Sequence, residues 1–338
     1  MYQQTYKVER RTGTSADILE AGGLAALLRE ILRKAGKPSA DVLLIDSGTH
    51  YTIQLPAAIE AGDVETLEHP PPIVRHLDLD RKQDGATEEE AAMPAKRRSS
   101  SADRHAGYGF NYNGEMQRRK VFMEQLKQLP PHARSPHAFL SNAPELQARR
   151  DQLTPPSPEL PLYAAINQFK KDVVESFNKT CIRWRELSPE LLREHVRLVL
   201  TAFATLPNPL AEVEMRYAAL ARQHRLDKVE MTLLQVINPT TGKGANKSKA
   251  SGVAIGQQSG WWVLELLKFA GYFLLAHAQT LQGSKERQKD RQKDLKIYIV
   301  RPGHISLRLL EQLMPRFRDA LWSSTPVKQD VQAGLYLA

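Results

Sequence analysis

Apolar residues recur along the chain with two periods, which divide it into short strands and longer helices. Tyr2 to Arg11 alternates weakly, which predicts an edge strand. After Ser15-Ala16-Asp17, the residues Ile18, Leu24, Leu27, Leu28, Ile31 and Leu32 recur at helical spacing. Arg33 and Lys34 suit the negative end of that helix's dipole, and Gly36 suits the left-handed residue beyond it. Val42 to Asp46 and Tyr51 to Leu55 are apolar, β-branched runs around a Ser-Gly-Thr turn, so two strands are expected there.

The pattern lapses between Arg81 and Gly107. That stretch has almost no large apolar residue and cannot bury enough surface to offset its ordering entropy, so a mobile linker is expected. Beyond it, a helix is predicted near Glu115 to Gln128, and Pro130, Pro131, Pro136, Pro144, Pro155 and Pro156 break any long element that follows. Helical periodicity returns after Pro161, with Tyr163, Ile166, Phe169, Val173 and Phe177 near one face. Ser188 as N-cap and Pro189 at the first position start a helix to Leu206, and another is predicted over Leu210 to His224.

Val229 to Asn238 is rich in apolar and β-branched residues and predicts a strand, as does Leu295 to Pro302. Between them, Trp261 to Leu281 is long and apolar enough to suggest a membrane span. Glu265 and Lys268 lie inside it and make a buried core helix the better expectation. Strand, helix and strand in that order suggest a βαβ crossover, with an antiparallel arrangement the open alternative, and a last helix is predicted over Ile305 to Leu321. The expected fold is therefore mixed α/β (α+β). A small α/β unit spans 1–80, a linker 81–107, and a larger helix-rich unit with a few strands 108–338.

Charge narrows the partner class. The chain has 47 Lys and Arg against 38 Asp and Glu, and a pI near 9.5. Such a balance favours a polyanion, because Lys and Arg release counterions from phosphates. The single cysteine, Cys181, excludes an internal disulfide and a Cys-based zinc cluster, and its apolar neighbours predict a buried structural thiol. The N-terminus is charged and has no apolar signal-peptide core, so a cytoplasmic protein is expected.

The segment Asn238 to Gly252, NPTTGKGANKSKASG, concentrates the candidate chemistry. Lys243, Lys247 and Lys249 occur without an acid, and Asn238, Thr240, Thr241, Asn246, Ser248 and Ser251 add hydrogen-bonding groups. Three glycines permit close backbone approach. Amides and lysines in such a loop suit phosphates, and asparagines suit base edges. A P-loop is not formed, because Gly242-Lys243-Gly244 is too compressed and no helix follows directly. Lys285, Arg287, Lys289 and Lys293 in SKERQKDRQKD are secondary basic candidates, on a predicted solvated helical extension laced with acids.

Metalloprotease, hydrolase and paired-cysteine zinc signatures are missing, so neither metal nor cofactor is expected. His76, Asp78 and Asp80 leave open a metal-dependent nucleic-acid-processing enzyme. A basic RNA-binding scaffold is the other open alternative. His304 is expected to end a strand rather than act as a base, and Trp261 and Trp262 either stack bases or join the core.

RTGTSADILEAGGLAALL, LPLYAAINQFK, INPTTGKGANKSKASG with WWVLELLKFAGYF, and KIYIVRPGHISL together resemble the large subunits of type I CRISPR effector (Cascade) complexes. The nearest likeness is to the subtype I-B and myxobacterial-type subunits. The resemblance implies a non-catalytic subunit near the 5′ end of the guide RNA that reads the protospacer-adjacent motif on double-stranded DNA and helps to open it. It places that task on Asn238, Lys243, Asn246, Lys247 and Lys249. Partners would be guide RNA, target DNA and the backbone subunits of the complex. Many such subunits end in a helical bundle, whereas one helix and a short tail follow residue 303 here, which leaves open a separate small subunit for lateral strand-holding.

Overall fold

The computed structural model describes residues 2–79, 109–129, 153–168, 171–227, 232, 234, 236–238, 261–281 and 294–322. The expected linker, residues 239–252 of the basic loop, and 284–293 lie outside them.

Strand β1 (Thr5–Glu9) turns Tyr6 and Val8 inward, and helix α1 (Ser15–Lys34) follows. Thr14 caps α1 by accepting the Ala16 N–H at 3.2 Å, and Asp17 sits in the first turn, where an acid suits the dipole. At the other end, Lys37 N donates to Leu32 O at 2.9 Å and Gly36 N to Arg33 O at 3.2 Å. That pair of bonds is a Schellman motif, with Gly36 at φ +68° supplying the left-handed residue. The expected C-terminal glycine is in place.

Strands β2 (Leu43–Asp46) and β3 (His50–Gln54) form the expected hairpin, and β3 lies between β1 and β2 in an antiparallel sheet. Because α1 crosses from β1 to β2 with β3 between them, this is a split βαβ unit. The fourth strand, β8 (His304–Ser306), comes from the far end of the chain and pairs with β2, with Leu44 opposite Ile305. Residues 1–80 therefore do not make a self-contained unit; their sheet is completed by residues 304–306.

The outer edge of β1 is closed by a side chain. Asn208 accepts the Glu9 N–H at 2.9 Å and donates to Lys7 O at 3.0 Å, while Lys7 N reaches Phe203 O at 2.9 Å. Asn208 thus takes the place of a neighbouring strand and removes an open edge.

Between these ends run α2 (Ala61–Glu65), the paired two-residue strands β4 (Leu77–Asp78) and β5 (Phe110–Asn111), and α3 (Tyr112–Gln128). The helical stretch expected after Pro161 occupies α4 (Leu160–Gln168) and α5 (Lys171–Arg185). Helix α6 (Pro189–Ala202) starts where expected, with Ser188 Oγ accepting the Leu191 N–H at 3.3 Å, and α7 (Leu210–Gln223) follows. Cys181 is fully buried on α5, and burial pushes its thiol well above the usual range, as suits a structural thiol.

The last part corrects three expectations. The Trp261 helix, α8 (Trp262–Leu275), stops six residues early, and the chain continues as β6 (Ala276–Leu281). This strand pairs antiparallel with β7 (Asp294–Ile299), so an antiparallel strand pair replaces the expected βαβ crossover. Arg318 on the final helix, α9 (Leu307–Trp322), donates from Nε to Ala276 O at 2.9 Å and from its terminal nitrogen to Phe273 O. It satisfies carbonyls that the end of α8 leaves open. Of the expected strand Val229–Asn238, half lies outside the described residues; Val236 and Ile237 form a turn instead, with Ile237 N and Asn238 N both donating to Leu234 O.

Helices α1 and α8 form the centre. They run antiparallel and so close that Gly23 faces the Leu267 backbone and Gly271 the Leu19 backbone. Both are buried nearly all round, α1 between the sheet and α8. The fold is mixed α and β with one continuous core, which crosses the expected boundary between 1–80 and 108–338. Among the described residues no helix is long and apolar enough to cross a membrane.

Candidate nucleic-acid interface

The nearest described residues on either side of the basic loop lie in the core. At one end Asn238 is 5% exposed, and at the other Trp261 and Trp262 are each 1% exposed. Neither indole is open for base stacking. Trp262 instead packs edge-on against Trp184 and near His195.

Asn238 was expected to contact nucleic acid, and the structure gives its side chain another task. Its amide donates to Glu265 Oε1 on α8 and, at 3.1 Å, to Thr232 O. Thr232 N also donates to Glu265 Oε1, at 2.6 Å. One carboxylate oxygen thus holds both ends of the segment leading into the loop. It also takes the Thr232 backbone donor that a strand ladder would need. Lys268, one helical turn along, lies 3.5 Å from Asn238 Oδ1 and 4.0 Å from Glu20 Oε2 on α1. Glu20 in turn pairs with Arg11. A buried polar chain therefore runs from Arg11 through the α1–α8 contact to Asn238.

Glu265 is wholly buried, and loss of water raises its carboxyl to about 7. The Thr232 N–H, the Asn238 amide and Lys268 oppose that rise. The sequence signal for this clasp was present but ambiguous: Glu265 and Lys268 are the only charged residues in an otherwise apolar helix. They argue against a membrane span without showing what they hold.

Thr240, Thr241, Lys243, Asn246, Lys247, Ser248, Lys249 and Ser251 lie outside the described residues, as do Lys285, Arg287, Lys289 and Lys293. The structure describes only the residues that flank these two groups. It defines the anchors of the first group, and places β6 and β7 on either side of the second.

A second charged cluster ties β2 to the segment before β8. Asp46 pairs with Arg10 and with Arg301, whose Nε donates to it at 2.9 Å, and Arg10 lies over the Tyr51 ring at 4.6 Å. Burial alone would raise the Asp46 carboxyl, but the Gly48 N–H, Arg301 and Arg10 hold it below its ordinary range. His304 opens β8 rather than closing the preceding strand.

Of the alternative metal ligands, His76 and Asp78 are described and Asp80 lies outside the described residues. His76 is buried beside Gly109, and its carbonyl accepts the Phe110 N–H at 2.8 Å. The described residues contain no group of three His, Cys, Asp or Glu side chains able to hold a metal ion. No family model, curated protein or solved structure matches the chain.

Proposed function

We propose that this chain is a nucleic-acid-binding, non-catalytic large subunit of an RNA-guided DNA-targeting complex of the Cascade type. In this role it recognises the protospacer-adjacent motif on double-stranded target DNA and helps to open the duplex. The observation that carries the proposal is an acid-free segment with three lysines and an asparagine, rooted at Asn238 and Trp261 in the core. Rooting both ends lowers the entropy lost on binding, because the chain enters and leaves the contact at fixed points.

The basic balance of the whole chain and the resemblance of its sequence blocks to Cascade large subunits support the same reading. Lys243, Lys247 and Lys249 contact phosphates; Asn246, Thr240, Thr241, Ser248 and Ser251 are the polar groups available to base edges. Asn238 anchors the loop rather than touching the ligand. The partners are guide RNA, target DNA and the backbone subunits. The work is done in the cytoplasm and serves antiviral defence.

Replacing Lys243, Lys247 and Lys249 together by Ala tests the assignment in the assembled complex. Target-DNA affinity falls and its salt dependence weakens by about three in slope, since each phosphate contact contributes about one. Unchanged DNA binding would defeat the site. Intact DNA binding with lost guide-RNA retention would make the chain a basic RNA scaffold.

A further inference from the structure

The protein treats two of its sheet edges differently. At β1 the edge is closed by Asn208, whose side chain bonds the Glu9 N–H and Lys7 O. At β7 one side pairs with β6, and no described strand lies along the other.

The register fixes which groups face that open side. Val300 N donates to Leu275 O at 3.0 Å, one step beyond the opposed residues Ile299 and Ala276. Bonded and non-bonded pairs alternate along an antiparallel ladder, so Tyr298 and Lys296 also bond towards β6. Leu295, Ile297 and Ile299 therefore turn their N–H and C=O groups outward. Among the described residues nothing bonds to those outward groups.

Every residue from Leu295 to Val300 is part-exposed. Proteins blunt open edges with proline, bulges or charges. Leu-Lys-Ile-Tyr-Ile-Val carries one charge and neither proline nor glycine. Donors and acceptors at every second residue of a strand are met by another extended backbone.

We propose that the outer edge of β7 is a self-association surface, which takes β7 of a second copy of this chain, antiparallel, about a two-fold axis. Centred on Ile297, this pairing sets Ile297 against the partner's Ile297 and Leu295 against the partner's Ile299. Lys296 then stands against the partner's Tyr298. Apolar residues meet apolar ones, and no charge lies directly opposite its like. Roughly six backbone hydrogen bonds form. Two separate strand pairs become one four-stranded sheet, and added strands steady a pair that is marginal alone. This self-complementary register is what selects a second copy over an unrelated strand. The inference does not depend on the nucleic-acid reading.

Sedimentation of the full chain over a concentration series, with residue-resolved hydrogen exchange on the same samples, tests it. Dilute, monomeric chain should exchange fast at the Leu295, Ile297 and Ile299 amides and slowly at Lys296 and Tyr298. Concentrated chain should be dimeric, with all five amides slow. Ile297→Pro removes an outward N–H and spares the donors to β6, as proline does on an edge strand. It should weaken the dimer about tenfold or more, since each copy loses a bond. Ile297→Val should keep it.

A chain that is monomeric at every concentration overturns the inference. If its outward amides then become protected only in an assembly with other proteins, the edge takes a different strand. A dimer with those amides still fast, or one unchanged by a folded Ile297→Pro, forms elsewhere and also overturns it. So does a monomer with the three amides slow, because the chain then covers its own edge. If Ile297→Pro does not fold, the exchange pattern of the unsubstituted chain decides.

Discussion

A methyl group at Gly23 would stand 1.7 Å from the Leu267 carbonyl oxygen, and one at Gly271 would stand 1.8 Å from that of Leu19. The two contacts are reciprocal: each helix presents a glycine to the backbone of the other, four residues along. This closeness sets the position of α8 against α1, and hence of Glu265 and Lys268 against Glu20.

Gly23→Ala and Gly271→Ala should therefore each destabilise the protein by about 3 kcal/mol or more, since backbone is the obstacle and overpacking is severe. Gly62→Ala in α2, with nothing within 4 Å, is the control and should be neutral or stabilising by about 0.5–1 kcal/mol. Chemical denaturation of the three variants checks the contrast. Equal stabilities for Gly23→Ala and Gly62→Ala would contradict the close crossing.

The Glu265 clasp predicts a pH effect. Its carboxyl is raised in the folded state from 4.5 to about 7, so the folded chain binds the extra proton. Its contribution to stability is present at low pH and is lost as pH rises through about 4.5 to 7. His277 works oppositely, because burial, with Arg318 beside it, lowers it from 6.5 to about 4. That contribution is present above 6.5 and is lost as pH falls towards 4; His195, also lowered by burial, acts in the same sense. Glu265→Gln should thus make stability fall more steeply on acidification from neutral pH, and His277→Phe less steeply. Parallel profiles for both variants and the original would exclude these titrations.

Asn238→Ala removes one of the donors to a buried carboxylate. It should cost about 1–3 kcal/mol. Hydrogen exchange should also quicken at the Thr232 amide, whose acceptor is the same oxygen. Protection at Thr232 equal to that of the unsubstituted chain would show that Asn238 does not secure the clasp.

Asn208→Ala opens the edge of β1. A loss of about 1–3 kcal/mol is expected, with faster exchange at the Glu9 amide while Tyr6 and Val8, which pair inward with β3, stay protected. Uniform protection along β1 would mean that Asn208 is dispensable there.

Much of the local structure was legible because it depends on neighbours in the chain. Ser188 and Pro189 start α6, Gly36 ends α1, and the apolar runs around Ser47-Gly48-Thr49 form the β2–β3 hairpin. The errors fell where a local pattern fits two structures. A buried apolar run from Trp261 to Leu281 reads alike as helix or strand, and its change at Ala276 depends on Arg318 and on β7. At Thr232, within the expected strand Val229–Asn238, a carboxylate on another element takes the backbone donor that a strand ladder would need.

Periodicity, caps and charge thus specify the mixed α and β elements, the single buried thiol and a basic chain. Those properties arise from residues within a few positions of one another, or from sums over the chain. Long-range packing decided that residues 304–306 complete the N-terminal sheet, that two glycine–backbone contacts seat α8 on α1, and that the Asn238 amide bonds the buried Glu265. Each pairs residues far apart in sequence, and only a folded core brings their backbone donors, acceptors and missing side chains within reach.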